Sequence, residues 1–150
     1  MFTIRDATST DAHALRDLYA NHLAPPSAEE ANKTLADWEN MLGEITADRN
    51  CHLLVGVTND GEIVSSVSLI VIKNLTHGLR PYAVIENVVT HANHRNRGYA
   101  SSLMAAAKDT AVESGCYKIM LMTGSKKEST LRFYKKCGFT DDKTAFQIRL

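Results

Sequence analysis

Residues 88–104 constrain this chain more than any other stretch. The run Val-Val-Thr-His-Ala-Asn-His-Arg-Asn-Arg-Gly-Tyr-Ala-Ser-Ser-Leu-Met passes from a β-branched segment through a basic, small-residue turn into a helical pattern. That order implies a strand, a tight bend and a helix opening near Gly98. The first backbone N–H groups of a helix lack partners and carry partial positive charge, so they favour phosphate. Gly98 and Ala100 keep side-chain bulk away from that opening, and Arg95 and Arg97 add positive charge at its mouth. The segment reads as a cradle for a pyrophosphate-bearing cofactor, the plain alternative being a strand-to-helix connection with a capping glycine. Spacing excludes two common cradles. A dinucleotide turn needs G-x-G-x-x-G and a nucleoside-triphosphate loop needs G-x-x-x-x-G-K-[ST], and the bend at Gly98 satisfies neither.

The 150 residues suit a single domain, 1–150, with one core. Its 17 basic and 17 acidic residues balance, so no broad polyanion-attracting field arises and nucleic acid is not an expected partner. Cys51, Cys116 and Cys137 are widely spaced and odd in number, which suggests neither a zinc site nor a redox pair and fits a reducing, cytoplasmic setting. Arg5 and Asp6 interrupt the amino terminus, and no apolar window approaches the ~20 residues of a membrane span, so neither a signal peptide nor a membrane partner is expected. His91 and His94 fall on a turn with no acid nearby, and no metal is expected. Asn74-Leu75-Thr76 matches a glycosylation triplet by chance.

Periodicity lays out the rest. A short strand covers Phe2 to Arg5, and a helix runs from Asp11 to about His22 until Pro25-Pro26 stops it. A second helix opens at Ser27-Ala28-Glu29-Glu30 and carries Leu35, Trp38, Met41 and Leu42. Strands at Leu53–Thr58 and Ile63–Ile72 flank the turn Asn59-Asp60-Gly61, and a loop from Asn74 to Pro81 leads to a strand at Tyr82–Thr90. The helix after Gly98 ends at Gly115, a strand follows at Tyr117–Met122, and a helix at Ser129–Lys136 stops at Gly138. Phe139 onward is extended, with a last strand over Ala145–Leu150. The order β-α-α-β-β-β-α-β-α-β-β predicts an α/β protein with a mixed central sheet and helices on both faces, its strands parallel across the Gly98 crossover.

Arg95, Gly98 and Ala100 form Arg-x-x-Gly-x-Ala, which resembles the acetyl-coenzyme A signature [Arg/Gln]-x-x-Gly-x-[Gly/Ala] of the GCN5-related N-acetyltransferases, the GNAT superfamily. Phe133-Tyr134-Lys135-Lys136-Cys137-Gly138-Phe139 resembles the same superfamily's [Phe/Leu]-Tyr-x-x-x-Gly-Phe, and the element order is that of the GNAT fold over the whole chain. Ile85-Glu86, Gly115 to Ile119, Tyr134 to Phe139 and Gln147-Ile148-Arg149 are locally similar to glucosamine-6-phosphate N-acetyltransferases.

The resemblance implies acetyl transfer from acetyl-CoA, a co-substrate, to an amine, without metal. Backbone N–H groups of Arg95, Asn96, Arg97, Gly98, Tyr99, Ala100 and Ser101 would hold the pyrophosphate. Val88, Val89 and Thr90 would pair their main chain with the pantetheine amides, and an N–H near Val88 or Val89 would polarise the carbonyl, worth about 3 kcal/mol. Tyr134 is the proton donor to the leaving thiolate, a phenol titrating near a thiol's range. Glu86, alone in an apolar strand, is the candidate base; a glutamate is a weak base toward an ammonium, so the role calls for burial or an intervening water. Two departures leave Glu86 and ordered water both open as base. Lys127 stands where many relatives place asparagine, and Ile119–Thr123 carries no acid.

His22, Trp38, His77, Arg80 and Tyr82 are acceptor-site candidates, Arg80 as a bidentate partner for phosphate or carboxylate. An amino sugar or its phosphate leads among acceptors, with polyamines, amino acids and aminoglycosides open. The rival functions are a non-catalytic acyl-CoA-binding module and a protein N-acetyltransferase. The resemblance also implies a homodimer, joined at the edge of the C-terminal strand.

Overall fold

A computed structural model describes residues 2–150. Strands β1 (Phe2–Asp6), β2 (Cys51–Thr58), β3 (Ile63–Ile72), β4 (Tyr82–Thr90) and β5 (Ile119–Leu121) lie side by side in chain order in one sheet. The first four are antiparallel neighbours, whereas β5 runs parallel to β4, as expected for a strand reached through a crossover helix. Helices α1 (Ala12–His22), α2 (Ala28–Ala31), α3 (Leu35–Ala47), α4 (Tyr99–Glu113) and α5 (Glu128–Lys136) complete the fold.

Strand alternation divides the core between the two faces. Leu54, Val67, Leu69, Val71 and Ile85 pack with Leu103, Met104, Ala107 and Ala111 of α4. Leu53 and Val55, one residue out of phase with Leu54, pack instead with Leu15 and Leu18 of α1 and Leu42 of α3. The mixed sheet covered by helices on both faces agrees with the sequence expectation. Asp11 anchors the entry to α1: Arg5 donates to both its carboxylate oxygens, at 2.7 and 2.9 Å, and the Thr8 N–H donates at 2.8 Å.

Three details differ from expectation. The helix expected from Ser27 is two helices, because Thr34 and Asp37 build a second capping box that starts a new helix at Leu35. The strand expected over Tyr117–Met122 is ordered as a ladder only at Ile119–Leu121, where β4 supplies partners. The strands expected after Phe139 and over Ala145–Leu150 are absent from the described chain, which carries no strand beyond β5. Alternation marks a strand's faces but cannot supply its neighbour, and Phe146 and Ile148 remain 90% and 87% exposed.

Candidate active site

The centre of the site is a break in the sheet. β4 pairs with β5 only through Ala83, Val84 and Ile85, so from Glu86 onward its β5-facing edge is open. On its other side the register with β3 slips by one residue between Ser66 and Ser68, a bulge that leaves Asn87 and Val88 without register partners. Asn87 takes φ of +53°, a left-handed conformation that asparagine tolerates better than most residues. Strand order resumes at Val89 and Thr90, which face Ser66 and Ser65; the Ser65 hydroxyl donates to the Val89 carbonyl at 2.8 Å. The bulge and the loss of β5 together leave an unpaired slot along residues 86–90.

The bend after Thr90 leads into α4. Arg95 donates from Nε to the Thr90 carbonyl at 3.2 Å, tying the bend to the strand, and Asn96 takes φ of +62°. Gly98 is the N-cap of α4 at φ +83°, with no side-chain cap and no atom within 4 Å of where a Cβ would sit. The first helical acceptor is the Gly98 carbonyl, bonded by the Ser102 N–H, so the N–H groups at Gly98, Tyr99, Ala100 and Ser101 precede the helix's own ladder. Arg95, Asn96, Arg97 and Gly98 are exposed. Open space, free donors and positive charge fit a diphosphate. Tyr99 stacks on Phe2 with centroids 4.0 Å apart, fixing the first turn of α4 against β1.

α5 brings Tyr134 near Glu86 of β4. Its ring packs edge-to-face with Phe133 and Phe139, and with Val88 it flanks the core cluster under the slot. Burial pushes the Tyr134 phenol above its ordinary value, and the nearby Cys137 and the Glu86 carboxylate push the same way, so the hydroxyl keeps its proton. Glu86 itself is exposed at the open edge of β4. β4 thus links the candidates: Glu86 is near enough to Tyr134 to act on its phenol, and the bend before Gly98 is tied to the strand's end at Thr90.

The acceptor candidates divide. A cavity of about 410 Å³ adjoins the bulge, with Tyr19, Trp38, Ser68 and Asn87 in its lining. Trp38 therefore sits beside the slot. Arg80 does not line this cavity; its guanidinium donates to the Gly115 and Cys116 carbonyls at 3.2 and 3.0 Å, bracing the end of α4. Tyr82 packs edge-to-face on Tyr117, and residues 82 and 87 are separated by roughly 16 Å of strand. His77 stacks on Tyr117 at 4.0 Å. His22 lies at the bend, accepting from the Ala92 N–H at 3.3 Å with its ring tilted against that of His91; partial burial, then His91 and Arg95, lower its pKa. Among the described residues no three His, Cys, Asp or Glu are grouped to hold a metal, and no helix is long and apolar enough to cross a membrane.

Tyr19, Ser68 and Asn87 escaped the sequence reading. Tyr19 has the helical spacing of a core residue and is nearly buried, its hydroxyl 3.0 Å from Ser66 Oγ. The one available signal was the pair Glu86-Asn87, polar and turn-prone inside an apolar strand, which marks an interruption.

Comparison with known proteins agrees with this geometry. Residues 12–139 match the Acetyltransferase (GNAT) family. A streptothricin acetyltransferase of Escherichia coli is 27% identical over 129 residues, 84% of this chain and 69% of that protein. A candidate acetyltransferase from Agrobacterium tumefaciens str. C58 superposes with a TM-score of 0.89 at 36% identity, covering 99% of both chains. A glucosamine-6-phosphate N-acetyltransferase from Arabidopsis thaliana shares the fold, with a TM-score of 0.86 at 20% identity over 99% of this chain and 98% of that one. The slot, the glycine-opened helix and the match across nearly the whole chain lead to one assignment: the protein belongs to the GNAT acetyltransferase family and is an N-acetyltransferase.

Proposed function

We propose that this enzyme moves the acetyl group of acetyl-CoA to a primary amine of a small molecule, an amino sugar foremost, by direct attack within a ternary complex. The observation that carries this reading is the slot along residues 86–90, which leads to the glycine-opened start of α4 and has a cavity of about 410 Å³ adjoining its bulge. Acetyl-CoA supplies the activated acyl carbon. The N–H groups from Arg95 to Ser101 bind its diphosphate, and the main chain of Val88–Thr90 pairs with its pantetheine amides. An N–H at Val88, in the bulge, or at Val89 beside it stabilises negative charge on the carbonyl oxygen.

The amine nitrogen bonds to the carbonyl carbon as the C–S bond breaks. Tyr134 gives its phenolic proton to the departing thiolate, and the proton lost by the nitrogen passes to Glu86 or to water held by it. Burial raises the thiols of Cys51, Cys116 and Cys137 above their ordinary value, which keeps them protonated and argues against an acetyl-cysteine route. The Escherichia coli relative carries the name of a small-molecule acetyltransferase, which supports a small acceptor over a protein. Three free cysteines fit a reducing cytoplasm.

The active form is a homodimer joined through the C-terminal edge. Phe146, Ile148 and Leu150 of the C-terminal tail are exposed, and the outer edge of β5 has no strand neighbour among the described residues. Calorimetry with acetyl-CoA, followed by thiol release across a panel of amines, tests the reading. Binding together with turnover of at least one small amine is the expected result. Absence of affinity for acetyl-CoA, or tight binding with no amine turned over, overturns it.

A further inference from the structure

We infer that the acceptor carries at least two ammonium groups and no phosphate: one amine reacts at the slot while a second cation sits at the acidic rim of the cavity beside Asn87. This rests on the acetyl-transfer reading above and narrows its substrate class.

The cavity joins α1, α3 and the bulge of β4, and its inner wall includes Tyr19, Trp38 and Asn87. Glu30, Asp37 and Glu44 also line it, with Lys33 the single cation, so the lining has a formal charge of −2. Two of those carboxylates are held in place by capping boxes. The Ser27 N–H donates to Glu30 Oε2 at 2.6 Å, and the Thr34 N–H and hydroxyl donate to Asp37 Oδ2 at 2.8 and 2.9 Å. Each cap engages one oxygen and leaves the other, Glu30 Oε1 or Asp37 Oδ1, without a hydrogen-bond partner among the described residues. The backbone and hydroxyl bonds from Thr34 also hold the Asp37 carboxyl below its ordinary value, so it stays ionised. The Glu44 carboxylate is uncommitted.

The walls favour the same charge. Tyr19 and Trp38 meet edge-to-face with centroids 6.2 Å apart, and aromatic faces attract ammonium groups. Phosphate meets the opposite situation. No arginine lines the cavity, and Arg80, the sequence candidate for phosphate, is committed to the Gly115 and Cys116 carbonyls. A phosphate dianion at the rim would face three carboxylates with Lys33 alone to offset them.

A matched set of three sugars differing only at C6 tests this: glucosamine, glucosamine 6-phosphate and 2,6-diamino-2,6-dideoxyglucose. Two net charges roughly 7 Å away through water change binding by about tenfold per substrate charge at low salt. Thiol release is therefore expected to give kcat/KM about tenfold higher for the diamino sugar than for glucosamine, and lower for the phosphate. Glu44 caps nothing, so Glu44→Gln tests the rim without removing a helix cap. It is expected to raise KM for the diamino sugar at least twofold more than for glucosamine. Preference for the 6-phosphate, or a ranking that Glu44→Gln leaves unaltered, overturns the inference while acetyl transfer stands. No thiol release with any of the three, in a protein that binds acetyl-CoA, overturns the inference; failure across the whole amine panel overturns the acetyl-transfer reading as well.

Discussion

Replacing Gly98 by alanine separates two consequences of one methyl group. The first is conformational: at φ +83° an L side chain crowds its own backbone, at a cost of roughly 1–2 kcal/mol. For a chain of this size that lowers Tm by about 2–6 °C. The second consequence concerns the ligand. The Cβ would meet no protein atom within 4 Å, so it projects into the space a diphosphate must enter to reach the N–H groups of α4. Charge-assisted hydrogen bonds are worth about 1.5–3 kcal/mol each, so lengthening one of them weakens acetyl-CoA about 10- to 100-fold. Gly115 supplies the control. It has φ of +75° and equally open space, but lies past the far end of α4. Gly115→Ala is expected to lower Tm by a similar amount and leave acetyl-CoA affinity unchanged. Scanning fluorimetry gives the first quantity and isothermal titration calorimetry the second. Wild-type affinity in Gly98→Ala, alongside the expected fall in Tm, would refute the cradle; Gly98→Glu, adding bulk and charge, is expected to abolish binding.

Tyr134→Phe removes the proposed proton donor and keeps the ring's packing, so kcat is expected to fall about 100-fold while acetyl-CoA affinity stays within twofold; unchanged kcat would remove the acid role. Asp11, held below the ordinary carboxylate value of 3.8 chiefly by the Arg5 hydrogen bond, contributes stability that is complete above that value and lost as pH falls through its folded pKa. Because Arg5 is partly exposed, Asp11→Asn is expected to cost about 1–2 kcal/mol at pH 7 in urea unfolding, a gap that closes below about pH 4; a pH-independent gap would contradict the ion pair. Phe146→Asp with Ile148→Asp is expected to halve the mass measured by sedimentation without lowering monomer stability, since both side chains are exposed in the single chain. An unchanged mass would refute the proposed dimer contact.

Where local chemistry dictated structure, the sequence could be read closely. β3 and β4 have the expected bounds because β-branched runs end at a turn with Gly61 and at the polar loop before Pro81. α4 begins beside Gly98 because that residue alone in the bend accepts a left-handed cap freely. The second capping box at Thr34-Leu35-Ala36-Asp37 was also present as text, and overlooking it merged α2 with α3. The tail was misread for another reason: its alternation is real, but a strand exists only with a neighbour, which a sequence does not display.

The active-site pieces divide on the same principle. The bend from Arg95 to Ser101 and the tyrosine of the Phe-Tyr motif depend on residues near one another in the chain, so spacing alone exposes them. The slot depends on β4 losing β5 after Ile85 and slipping against β3 at Ser66, and the adjoining cavity on Tyr19, Trp38, Ser68 and Asn87 converging from four separate elements. Arg80 shows the converse: its side-chain chemistry suits phosphate, yet packing commits it to carbonyls more than thirty residues away. Sequence by itself determined the strand–bend–helix at Gly98, because helix starts and glycine conformations are short-range properties. Tertiary structure decided where the sheet opens and which charges line the cavity, because both are set by contacts between residues far apart in the chain.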